Sequence, residues 1–115
     1  MMPRIYKYTL EQTTAPQKLT PMSESDFILK PISVGLDPQG DICVWCFVAT
    51  GQDRVPLEDE NYCIYVELCL TGGEVALCTD FLGTVQQHEF ILHAFWSAEV
   101  LEEPLASDAL KSNNI

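Results

Sequence analysis

The sequence predicts one antiparallel β domain, a small sandwich or a partly open barrel with at most short helical segments. Three observations predict it. β-forming and apolar residues gather in six short runs between residues 4 and 97. Turn-forming residues separate those runs, and no segment of this stretch sustains the 3.6-residue apolar period of a packed helix. With 115 residues, 47% of them hydrophobic, the chain has the size and composition of a single domain able to bury a core. The β domain is expected over residues 1–97, and residues 98–115 read as an acidic C-terminal tail or a short helix.

The elements follow in order. Arg4–Leu10 alternates Ile5, Lys7 and Thr9 with Tyr6, Tyr8 and Leu10, the pattern of a half-buried strand. Glu11–Asp26 is polar and holds Pro16 and Pro21, so it reads as a loop. Pro31–Leu36 and Asp41–Thr50 flank the turn Asp37-Pro38-Gln39-Gly40 and form a hairpin. The second of these is almost wholly apolar, as suits a central strand. After the polar loop Gly51–Asn61, Tyr62–Leu70 places Tyr62, Ile64, Val66, Leu68 and Leu70 on one face and Tyr65, Glu67 and Cys69 on the other. Thr71-Gly72-Gly73-Glu74 opens a short excursion, not a tight hairpin. Phe81–Gln86 and Glu89–Ser97 form the last hairpin, through Gln86-Gln87-His88.

Charge is the strongest functional signal. Six Lys and Arg face 17 Asp and Glu, a net charge of −11. Residues 31–115 carry only Arg54 and Lys111 against 14 acids, and no Lys or Arg occurs between Val55 and Leu110. Such a field repels nucleic-acid phosphates and anionic membranes and attracts basic partners. No run of about 18 apolar residues exists to cross a membrane as a helix. The N-terminus lacks the apolar core of a secretory signal.

The five cysteines, Cys43, Cys46, Cys63, Cys69 and Cys78, are an odd number and read as free, mostly buried thiols. Cys43 and Cys46 have CxxC spacing, but three residues apart on a strand they point to opposite faces. A zinc knuckle needs a turn there, and a redox motif needs a helix N-terminus. His88 and His93, five apart, are expected on opposite faces of the last hairpin, so they make no two-histidine metal pair. No nucleophile motif and no Gly-rich phosphate loop accompanies them. Catalytic residues, metal and cofactors are therefore not expected, and the protein reads as a non-enzyme.

One resemblance adds to this reading. Ile5-Tyr6-Lys7-Tyr8, Ile42-Cys43-Val44-Trp45-Cys46, Phe81-Leu82-Gly83-Thr84-Val85-Gln86 and Leu92-His93-Ala94-Phe95 follow one another in the chain. The series resembles a family of short bacteriophage and prophage proteins of unassigned function. Its members carry an IYKY-type strand, a CLWA-type strand, a YIGTxQ-type strand and a closing strand ending in an HVF-type motif. The likeness runs from residue 4 to residue 96. Where that family has a Thr-Gly-His turn, this chain has Thr71-Gly72-Gly73, so no role of that histidine carries over. The resemblance implies a phage-encoded accessory protein acting in the cytoplasm of an infected bacterium, and it brings no catalytic residues.

Charge and resemblance together point to an inhibitor or adaptor. Its acidic surface would occlude a basic, nucleic-acid-binding site on a host protein or complex, such as an anti-CRISPR or similar anti-defence protein acting as a DNA mimic. The residues expected to contact the partner are Glu58, Asp59, Glu60, Glu74 and Asp80, with Glu102 and Glu103 as a second patch. Two other classes stay open. One is a protein that sequesters a small signalling nucleotide, which at this net charge requires Arg4, Lys7, Lys30 and Arg54 to converge. The other is a virion or assembly accessory protein. An exposed edge strand would allow a homodimer in any of these cases.

Overall fold

The computed structural model describes residues 3–23, 25–50 and 62–100, with Tyr62 and Val100 described at the backbone alone. Seven strands occur among them and no helix: β1 (Arg4–Thr9), β2 (Gln17–Lys18), β3 (Phe27–Leu36), β4 (Ile42–Ala49), β5 (Tyr62–Leu70), β6 (Asp80–Gln87) and β7 (Phe90–Val100). They form two antiparallel sheets with no ladder between them. The first has the order β1-β4-β3 and the second β2-β5-β7-β6. The expected β domain is thus an open two-sheet arrangement, not a closed barrel.

Local chemistry explains the elements. The apolar strand β4 sits in the middle of the first sheet, where both its edges are paired. The turn between β3 and β4 is organised by Asp37. Its Oδ1 accepts the amides of Gln39 and Asp41, both at 3.0 Å, and its Oδ2 accepts Lys7 Nζ at 3.1 Å. Gly40 follows at φ 89°, a conformation open to glycine. Burial of this carboxylate is thus compensated. The Asp41 amide above all, then the Lys7 ammonium, holds its pKa below the usual carboxylate value.

β3 starts at Phe27, four residues before the strand expected from Pro31. Register shifts between Ile28 and Lys30 and between Pro31 and Ser33 absorb the proline, which cannot donate to a ladder. The polar segment 11–26 contains the two-residue strand β2. Leu10 N donates to Ile42 O and Leu19 N to Ile64 O, so residues 10–19 strap the first sheet to the second. At the end of the chain, β7 continues past Ser97 to Val100, and residues 101–115, read as helix or tail, lie outside the described residues.

The core lies between the sheets. Tyr8, Ile28, Ile42, Val44, Cys46 and Val48 from the first meet Ile64, Val66, Leu68, Val85 and Ala94 from the second. Cys43 and Cys46 do point to opposite faces of β4. Cys46 packs in this core, while Cys43 lies against Thr9 and Asp37. Burial pushes the Cys46 thiol up to about 12. All five cysteines are buried, and no disulfide joins them. The sheets come close at Gly83, where a Cβ would stand 2.9 Å from Val34 Cγ1. Gln87 Nε2 ties the same side to the β3–β4 turn through Gly40 O, at 3.0 Å.

Candidate functional site

The outer face of the second sheet carries the most distinctive chemistry. It is built by strand alternation. β7 turns Ile91, His93, Phe95, Ser97 and Glu99 outward. Opposite them in register stand Phe81 and Thr84 of β6 and Tyr65, Glu67 and Cys69 of β5.

β5 and β6 are both antiparallel to β7, which lies between them, so they run parallel to each other. Residues 71–79 must therefore travel back along the sheet, and they do so over β5. Glu67 fixes their path. Its side chain is only 2% exposed, and its two oxygens accept the amides of Ala76 at 2.6 Å, Leu77 at 2.8 Å and Cys78 at 2.9 Å. Burial alone would push this carboxyl up, but the three amides outweigh it and hold the pKa below the ordinary value. Thr79 N donates to Ser97 Oγ at 2.8 Å and closes the far end.

The crossover covers the outer row of β5 and leaves that of β6 and β7 open. The result is a shelf beside a wall. Phe81 is 60% exposed on the shelf and packs edge-on against Phe95, ring centres 5.4 Å apart. Ile91 is also exposed, as is Leu77 on the crossover. Between them the His93 ring is clamped. Thr71 Oγ1 lies 2.8 Å from Nε2 and Thr84 Oγ1 2.9 Å from Nδ1. Each hydroxyl can donate or accept, so both imidazole nitrogens are satisfied in either protonation state. Among the described residues the ring has no carboxylate partner, and the two hydroxyls fix its orientation.

Of the residues expected to contact a partner, Glu74 lies in the crossover and Asp80 opens β6, and both are exposed. Glu74 belongs to the wall, whereas Asp80 pairs with the core-packed Trp96 and lies on the other face of the edge strand β6 from Phe81. Glu58, Asp59, Glu60, Glu102 and Glu103 lie outside the described residues. His88 is not on a strand face. It occupies the β6–β7 turn at φ 56°, a strained conformation for a non-glycine residue. Among the described residues no cluster of three or more His, Cys, Asp or Glu is arranged to hold a metal ion.

Sequence reading missed Phe81 with Phe95, the Thr71–His93–Thr84 clamp and the buried Glu67. One signal was available for the last. Glu67 is the single charged residue of Tyr62–Leu70. The three residues of the clamp, Thr71, Thr84 and His93, come from separate segments of the sequence, and the fold brings them to one point.

No family model, curated protein or solved structure matches the chain.

Proposed function

We propose that the protein is a non-enzymatic binding protein of phage origin. It inhibits a host defence complex by laying the outer face of its second sheet on a basic, nucleic-acid-binding surface. One observation carries this reading: the outer face presents exposed Phe81 with Glu74 on the crossover and Glu99 on β7, and Asp80 is exposed at the adjoining β6 edge, on a stretch of chain without a single Lys or Arg. Carboxylates draw the Lys and Arg of the partner and speed encounter. An exposed aromatic ring supplies the desolvated contact that holds the complex once formed. The partner is a protein, because the same carboxylates repel nucleic acid itself.

The test is capture of a bacterial nucleic-acid-binding complex on the tagged protein at low salt. The wild type is compared with Glu74→Lys/Asp80→Lys and with Phe81→Ala. Release of the complex is expected in about 1 M NaCl, where the Debye length is about 3 Å. The double reversal should weaken capture at least tenfold at low salt, and Phe81→Ala should hasten dissociation. Equal capture by the wild type and the double reversal at low salt would sink the proposal.

A further inference from the structure

The long strands of the two sheets differ in charge. The strands of the first sheet, β1, β3 and β4, contain Arg4, Lys7 and Lys30 and no Asp or Glu. The strands β5, β6 and β7 of the second contain acids and no Lys or Arg, and its two-residue strand β2 adds Lys18. In a chain of net charge −11, the only ion pair among the described residues is Lys7–Asp37, and Lys30 has none.

We infer that the outer face of the first sheet is a nucleotide-binding platform, with the base stacked on Trp45 and Phe47 and the phosphate held by Lys30. The register supports it. Trp45 and Phe47 sit two residues apart on the central strand, on the face away from the core. Lys30 of β3 stands directly opposite Phe47, and Lys7 of β1, opposite Trp45, is taken up by Asp37. Both rings are half-buried, so each keeps part of its surface in solvent. The indole lies over Gly35, where a Cβ would stand 3.6 Å from Trp45 Cζ3, an ordinary packing distance. Exposed Ile5 extends the apolar surface beside Phe47.

A flat ring gains dispersion and cation–π contacts on such a surface, and a phosphate gains a charge-assisted hydrogen bond at its edge. From β1 to β3 across β4 is about 10 Å, two strand spacings, which suits one nucleotide and not a run of several. The acids of the opposite sheet do not forbid the anion. They lie beyond a sandwich about 10 Å thick, roughly one Debye length at 0.1 M salt. The site is separate from the shelf, so either can fail without the other.

The test uses adenosine 5′-monophosphate as the probe. It is titrated into the wild-type protein by calorimetry, and into Trp96→Phe, where Trp45 is the sole indole, by fluorescence. Saturable heat and quenching of Trp45 are expected. Lys30→Glu should weaken binding at least tenfold and Lys30→Gln by less, with Glu74→Lys/Asp80→Lys leaving it no weaker. Adenosine and ribose 5-phosphate, each lacking half of the recognised chemistry, should bind more weakly than the nucleotide. The inference is overturned by no saturable response up to about 1 mM probe. Adenosine binding as tightly as the nucleotide also overturns it, as does an oligothymidylate that binds where the mononucleotide does not.

Discussion

Glu67 shows how one side chain can decide the path of a loop. A carboxylate on an apolar strand would ordinarily mark a solvent face, yet here it is enclosed because three consecutive amides reach it. Removing its charge leaves those donors poorly satisfied. Glu67→Gln should lower stability at pH 7 by about 2 kcal/mol, the scale of hydrogen bonds to a charged group. The pH dependence has a definite sign. The folded pKa lies below the ordinary 4.5, so the carboxylate's contribution is complete above that value and disappears as pH falls through the folded pKa. Denaturant titrations should therefore show the gap between wild type and Glu67→Gln closing below about pH 4.5, the unfolded carboxyl value. A gap independent of pH would show that the amides do not depend on the charge. Cys78 shares this environment, and burial first, then the nearby Glu67 charge, pushes its thiol up to about 11.

At the scale of elements, the sequence was legible where structure is local. The Asp37-Pro38-Gln39-Gly40 hairpin and the apolar centre β4 follow from turn chemistry and alternation, and both stand where the residues put them. The excursion after Leu70 was legible as an interruption, but its destination was not. Its route depends on β7 pairing between β5 and β6, a partner more than twenty residues away in sequence. β3 and β7 both run beyond their expected ends, at Pro31 and Ser97, because pairing with a neighbour overrides weak local preference. The packing of sheet on sheet is likewise non-local. Gly83 reads as an ordinary strand glycine until Val34 is found against it. Gly83→Ala should cost about 1–3 kcal/mol in chemical unfolding, as overpacking does, and adding Val34→Ala should recover part of that loss. Purely additive effects would show that the two positions are not in contact.

For the whole molecule, the charge imbalance is a property of the fold as well as of the composition. A chain of net charge −11 repels itself when compact. Its melting temperature should rise by a few degrees between about 10 and 300 mM NaCl as the Debye length shortens. An unchanged or falling temperature would mean that local ion pairs outweigh the net repulsion. The chain alone determined the β class, the central strand, the free thiols and the acidic balance, because all of these depend on residue type and near-neighbour spacing. It also determined that the cations cluster early and the acids late. Only the tertiary structure decided that this order along the chain becomes two opposed faces. Strand pairing gathers β1, β3 and β4 into one sheet and β2, β5, β6 and β7 into the other, placing Lys30 beside Phe47 on one outer face and exposed Phe81 on the opposite one. Spacing could not reveal this, because which strand lies beside which is set by contacts across the whole chain.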